Sequence, residues 1–224
     1  HGFLLLEDLG DGIYAQIVAE TPSIEPILYT AAADALLHIQ SHNSPTHLPN
    51  LTARDWAEAA CFALDWYRFA ITGDHVDPQP MRDILTDLIH RYADGPRVMI
   101  LRDFHAENLL WLPDRVGLAR VGLLDFQMAQ MGQPGYDLVS MLQDARRDVS
   151  RETETAVLHH FIAATGVAPV DFANAYAVLG AQRALRILGI FARLCLVAGK
   201  SNYLALIPRV WQQLERNIST PALA

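Results

Sequence analysis

Leu101-Arg102-Asp103-Phe104-His105-Ala106-Glu107-Asn108-Leu109-Leu110, followed by Leu123-Leu124-Asp125-Phe126, decides how this chain is read. The pattern is R-D-x-x-x-x-N, then an apolar run ending in D-F. Residues 98–101, 109–112 and 121–124 are short apolar runs that fit buried strands, and the turn region 113–122 joins the last two. Asp103 then follows one strand and Asn108 precedes the next, so a single loop holds both side chains over one point. Loops fixed by strands are where reactive groups usually sit. Asp125, at the end of the third strand, aims a carboxylate at the same point. One carboxylate to orient and deprotonate a hydroxyl, with an Asn and a second Asp to hold magnesium, is the set a phosphoryl-transfer centre needs. Asp is also common at strand ends as an ordinary turn residue. The joint spacing, rather than either residue alone, carries the reading.

Outside this centre the chain reads as helices around a small strand cluster. Residues 2–10 read as a buried strand running into a turn. Residues 24–40 read as a helix whose stripe is Ile27, Ala31, Leu36, Leu37 and Ile39. Loops at 41–51 and 73–80 flank a helix that Thr52 caps, with Asp55 three residues on, and that runs to about Ile71. A further helix covers 81–92, and 132–135 reads as a loop. Helices over 137–144, 151–165, 171–198 and 201–217 complete the pattern. The expected fold class is α+β.

The chain has 224 residues, of which 51% are hydrophobic and 19% charged, a folded composition. A net charge of −8 argues against nucleic acid or an anionic membrane as partner. Cys61 and Cys195 lie in apolar helical patterns without a C-x-x-C motif. They read as buried free thiols, as expected in a reducing cytoplasm. The most apolar stretch, 176–198, carries Arg183, Arg186 and Arg193, which exclude a simple membrane span and imply a core helix with one wet face.

The loop resembles that of the protein-kinase-like phosphotransferases of small molecules, the aminoglycoside phosphotransferase and choline kinase superfamily. Their catalytic loop reads H-x-D-x-H-x-x-N and their metal Asp opens a D-F-x motif; here Leu101 replaces the leading His. The resemblance implies Asp103 as catalytic base, Asn108 and Asp125 as Mg²⁺ ligands, and His105 near the transferred phosphoryl group, with loop packing as its alternative role. ATP would be the donor. Arg102 belongs to the loop, and Asp137 would support it by bonding its backbone. Further pieces are Leu6-Glu7-Asp8-Leu9-Gly10-Asp11, Gly135-Tyr136-Asp137-Leu138-Val139-Ser140, Gln143-Asp144, Gln182-Arg183 and Gly199-Lys200. Together they resemble bacterial cell-wall amino-sugar kinases, which phosphorylate the anomeric hydroxyl of N-acetylmuramate and N-acetylglucosamine. Leu6, Glu7, Asp8 and Leu9 would form the hinge that meets the nucleotide. Trp66, Tyr67 and Arg183 are candidates for the substrate side, with core packing and ion pairing as their alternatives. The partners implied are a nucleotide and a small-molecule substrate.

Two departures stand out. Met128 follows Gln127 where such families usually carry an acidic residue. Lys200 is the sole lysine among 17 basic Lys and Arg residues, and there is no G-x-G-x-x-G. The expected division is therefore a hinge at 1–12, ending a mostly absent N-terminal lobe, and a helical catalytic lobe at 13–224. An aminoglycoside or amino-alcohol acceptor, and a non-catalytic pseudokinase, are the rival readings.

Overall fold

The computed structural model describes residues 3, 5 and 7–223. The chain enters through α1 (Tyr14–Glu20) and α2 (Glu25–Gln40), then α3 (Ala53–Phe62), a π-helical segment (Ala63–Arg68), α4 (Phe69–Thr72) and α5 (Gln79–Tyr92). Four three-residue strands follow: β1 (Val98–Ile100), β2 (Leu109–Trp111), β3 (Val121–Leu123) and β4 (Gln130–Gly132). Then come α6 (Tyr136–Leu142), α7 (Arg151–Thr165), α8 (Pro169–Ala198), a 3-10 segment (Ser201–Leu206) and α9 (Ile207–Ile218). The strands form two antiparallel pairs, β1 with β4 and β2 with β3. Two-stranded ribbons are marginal alone; these lie against the helical core, with Ile100 and Leu109 buried in it.

Local chemistry explains several boundaries. Thr52 Oγ1 accepts from the Asp55 N–H at 3.2 Å, while the Asp55 carboxylate accepts from the Thr52 N–H at 2.8 Å. This reciprocal cap starts α3 and contributes about 1 kcal/mol. Ser150 starts α7 in the same way, through its hydroxyl on the Thr153 N–H. Helix α8, about 45 Å long at 1.5 Å per residue, runs beside α3, α9 and the π-helical segment. Gln182 anchors it by donating to the Trp56 carbonyl at 2.8 Å, and the Trp56 and Tyr136 rings meet beside it, centroids 4.7 Å apart. Among the described residues no helix is long and apolar enough to cross a membrane.

Five expectations need correction. Among the described residues of the 2–10 run no strand forms: Phe3 and Leu5 are exposed, and Glu7 to Gly10 are irregular. Gly2, Leu4 and Leu6 lie outside the described residues. An apolar run becomes a strand only where another strand pairs its backbone, and pairing among the described residues begins later, where Ile13 bridges Leu110. The loop expected at 132–135 loses its first residue to β4, Gln130–Gly132, whose pairing with β1 is long-range. The stripe on α2 is rotated: Ile27 is 60% exposed, and Leu28, Tyr29, Ala32 and Ala33 are buried instead. Cys61 is buried, but Cys195 is only partly so. Arg183 is buried rather than on the wet face of α8.

The 52–71 helix also changes geometry at Ala63–Arg68, where Gly189 of α8 lies against its start. A Cβ on Gly189 would overlap the Phe62 carbonyl and the Ala63 nitrogen, all backbone atoms that cannot rotate away. Gly189→Ala should therefore lower stability by about 1–3 kcal/mol, read as a reduced denaturation midpoint. An unchanged midpoint would mean that α8 and the π-helical segment separate freely.

Candidate active site

Residues 101–108 leave β1 and enter β2, and their course is dictated from below. The Asp137 carboxylate, at the start of α6 and fully buried, accepts from the Leu101 N–H at 2.7 Å and the Arg102 N–H at 2.9 Å. Arg102 takes φ 72°, a left-handed conformation that costs a non-glycine residue about 1–2 kcal/mol. Ser140, one turn after Asp137 on α6, donates to the Arg102 carbonyl at 3.0 Å, and the buried Arg183 donates to the Ser140 hydroxyl at 3.0 Å. Arg102 itself reaches Gln130 of β4 at 3.3 Å. The strained turn leaves Asp103 exposed at the rim of the loop.

The β2–β3 register places the other two groups. Leu109 pairs with Leu123, and one step further the Leu124 N–H donates to the Asn108 carbonyl at 2.9 Å. Asp125 is the next residue, and its φ of 55° turns the chain out of the ladder. Asn108 Nδ2 donates to the Asp103 carbonyl at 2.9 Å. Its Oδ1 accepts no hydrogen bond among the described residues, which leaves that oxygen without a protein partner there. Gln127 donates to one oxygen of the exposed Asp125 carboxylate. An amide oxygen and a carboxylate are hard donors that suit a cation keeping most of its shell for water and phosphate, as Mg²⁺ does. Among the described residues no group of three His, Cys, Asp or Glu gathers for a metal, so a tighter protein cage is not on offer.

His105 sits beneath the loop rather than on it, 5% exposed, with Nε2 3.5 Å from the Asn108 amide nitrogen. Burial, then the charges of Arg146 and Arg183, push its pKa down to about 3. The ring is therefore neutral near pH 7 and steadies the Asn108 amide. Asp137 moves the other way. Burial pushes its carboxyl up to about 6, against the two backbone bonds and the Arg183 charge that favour the anion.

The remaining sequence candidates fall in three places. Glu7 pairs with Arg115, Asp8 accepts from the Gly10 N–H at 2.8 Å, and Leu9 packs beside Gly122 of β3; Leu6 lies outside the described residues. This segment reaches the catalytic hairpin where the Trp111 N–H donates to the Gly12 carbonyl at 2.7 Å. Trp66 and Tyr67 lie on the π-helical segment. Arg193 stands over the Trp66 ring at 5.7 Å, and Trp211 donates to the Tyr67 hydroxyl at 2.6 Å. Arg183 gives its guanidinium to the Gln143 carbonyl and Ser140, inside the fold. The sequence reading missed Gln130 and Arg146. Gln130 stands in a strand too short to show a pattern. Arg146 contacts the loop only through Glu107, at 3.0 Å.

Residues 1–179 match the model of the phosphotransferase enzyme family. The chain belongs to this family. Among its relatives within the family is a protein of Caulobacter vibrioides named N-acetylmuramate/N-acetylglucosamine kinase, 41% identical over 235 aligned positions that take in all of this chain and 64% of the relative. A protein of the same name from Pseudomonas aeruginosa is 30% identical, again over the whole chain and 68% of its own length. The chain thus spans about two thirds of these relatives. Solved structures share the fold. A choline/ethanolamine kinase family protein from Mesorhizobium loti superposes with TM-score 0.62 at 13% identity, covering 91% of this chain and 65% of that one. Choline kinase from Cryptosporidium parvum gives 0.56 at 11% identity, covering 97% and 72%.

Two expectations follow for this family member. Because the folded Asp137 binds its proton more tightly than an unfolded one, its contribution to stability is full below about pH 4 and is lost as pH rises through 6. The loss amounts to about 3 kcal/mol at 1.36 kcal/mol per pKa unit. The stability margin of the wild type over Asp137→Asn should therefore shrink between pH 4.5 and 7 in urea titrations; parallel pH profiles would refute the assignment. His105→Ala should lower turnover about 10-fold by freeing the Asn108 amide, without moving the acid limb of the pH–rate profile. A limb near pH 6.5 that vanishes in the variant would instead make His105 a proton carrier.

Proposed function

We propose that the protein transfers the terminal phosphoryl group of ATP to a hydroxyl of an N-acetylated amino sugar, with N-acetylmuramate and N-acetylglucosamine as acceptors. The observation that carries the reaction class is the β2–β3 register, which sets Asn108 opposite Leu124, the residue before Asp125, with Asp103 exposed on the loop that Asn108 ends. The substrate class rests on the 41% identity to a relative of that name.

In this reading Asp103 orients the acceptor hydroxyl and takes its proton as the new O–P bond forms. Asn108 Oδ1 and the Asp125 carboxylate hold Mg²⁺, which when bound offsets the negative charge of the nucleotide phosphates. The Asp137 carboxylate keeps the loop backbone in place and so sets the position of the base. Residues 1–12 act as the hinge, where backbone groups near Leu9 meet the adenine and Glu7 or Asp8 approaches the ribose. The remainder, 13–224, is the catalytic and acceptor-binding lobe. An aminoglycoside is a polycation and needs an acidic pocket. The arginines of α8, with Arg146 beside them, favour a neutral or anionic sugar. An intact Asp103, Asn108 and Asp125 set also favours an active enzyme over a pseudokinase.

The test is ADP release by the intact protein, screened against N-acetylmuramate, N-acetylglucosamine and kanamycin. Release should depend on either sugar and not on kanamycin. Asp103→Asn should lower kcat about 10²- to 10⁴-fold, the usual contribution of a positioned base, with KM for the sugar within a few-fold of wild type. Wild-type turnover in that variant would remove Asp103 from the role of base.

A further inference from the structure

A cavity of about 420 Å³ lies at the end of the β1–β4 ribbon away from the catalytic loop, where Val98 pairs with Gly132. The ends of α2, α5 and α7, the first half of α8, and the stretches that lead into β1 and out of β4 meet around it. None of its lining residues belongs to 101–108 or to 125–127. Its walls are mostly apolar, with Leu37, Val98, Phe161, Phe172 and Leu179 among them. The volume falls within the range of small-molecule sites, roughly 300–1,000 Å³, and such sites pair apolar walls with a few placed polar groups.

The placed group here is Gln133, the residue after β4, which stands in the wall and is 2% exposed. Neither its Oε1 nor its Nε2 has a hydrogen bond among the described residues, and neither has surface open to water. Gln40, in the same wall, differs: its amide donates to the Pro134 carbonyl at 3.0 Å. The Gln133 backbone is also satisfied, since its carbonyl accepts from the Tyr136 N–H at 3.0 Å. A buried amide unpaired on both atoms weakens the fold, and each such group calls for a reason. Packing alone does not supply one, because leucine or methionine would fill the same space. The terminal torsion of glutamine is broad, so the amide edge turns readily towards an occupant that offers both an acceptor and a donor. Charge narrows the class of occupant. No lysine, arginine or histidine is among the described lining residues, and Asp171 is the one carboxylate. A phosphate or carboxylate would therefore meet no cation and one like charge.

We propose that this cavity is a second ligand site, separate from the catalytic loop, for a small, flat, uncharged and mainly apolar molecule with an N–H and a C=O side by side, as in a lactam or a primary amide. The N–H of the occupant donates to Gln133 Oε1, and its C=O accepts from Gln133 Nε2. Two hydrogen bonds then satisfy both atoms of the amide at once, while the apolar body of the ligand is buried against the aliphatic and aromatic walls. The site shares no residue with the phosphoryl-transfer centre, so it stands or falls independently of that reading.

The test titrates three probes into the intact protein by calorimetry: 2-quinolinone, a bicyclic lactam; quinoline, which lacks the N–H and C=O pair; and 2-naphthoate, which carries a negative charge. 2-Quinolinone should bind saturably and about 10-fold or more tighter than the other two, the worth of one or two net hydrogen bonds. Gln133→Met, close in shape, should abolish that preference. The same variant should raise the melting temperature of the unliganded protein, because it removes an unpaired buried amide. Ala175→Leu adds bulk to the cavity from α8 and keeps Gln133, and it should weaken 2-quinolinone as strongly. No saturable binding of 2-quinolinone overturns the site, and so does a lowered melting temperature in Gln133→Met, which would mean that the amide already has a partner such as water. Tighter binding of 2-naphthoate overturns the proposed class of ligand. Binding that Mg²⁺ and ATP abolish, and that both variants leave intact, would place the probe in the nucleotide site and overturn the proposal.

Discussion

Two backbone N–H groups, those of Leu101 and Arg102, point into the protein at the end of β1, and the Asp137 carboxylate is what meets them. Burying a carboxylate is costly unless its oxygens are satisfied, and here each oxygen takes one backbone donor. That exchange allows Arg102 to hold a left-handed conformation that its side chain disfavours. Without the turn, Asp103 would continue along the strand direction instead of standing at the rim. Ser140 and Arg183 extend the same support from α6 and α8, so Asp103 is positioned by helices far from it in sequence.

The second constraint is the β2–β3 register. A ladder only three pairs long nevertheless fixes which residue faces which, because a slip by one would move Asn108 away from Leu124 and turn every side chain over. The pair is held at both ends: Leu124 bonds the Asn108 carbonyl, and Gly12 bonds Trp111. The second of these contacts ties the candidate hinge directly to the hairpin that carries both metal-ligand candidates. Gly12 is required there because a Cβ would run into the Trp111 carbonyl.

Much of this was readable before any coordinates. The β1, β2 and β3 runs, the Thr52–Asp55 cap and the bounds of α7 depend on local pattern, and local pattern is what a sequence displays directly. Residues 2–10 failed because an apolar run looks the same whether or not a neighbour pairs with it. Strand β4 escaped because Gln130, Met131 and Gly132 have little strand propensity and are held by long-range pairing to Val98, Met99 and Ile100. The face of α2 was misjudged because its buried side is wide, taking in Leu28, Tyr29, Ala32, Ala33 and Leu36, so a stripe one residue off still looked helical. The burial of Arg183 could not be read from periodicity, since its acceptors, Gln143 and Ser140, come from another helix. At the site, the placement of Asp103 after β1, Asn108 before β2 and Asp125 after β3 is legible in the sequence. The neutrality of His105 was not, because it follows from burial and from arginines that arrive through tertiary structure.

Those arginines link the two halves of the site. Arg146 and Arg183 help keep His105 neutral, and a neutral ring can accept from the Asn108 amide where an imidazolium would repel it. The contact between the Asn108 amide and His105 therefore depends partly on the positive charge of Arg146 and Arg183. On the proposed reading, the same charge would disfavour a cationic acceptor on that side of the loop. Removing Arg146 or Arg183 would relax the condition that leaves the His105 ring able to accept from the Asn108 amide.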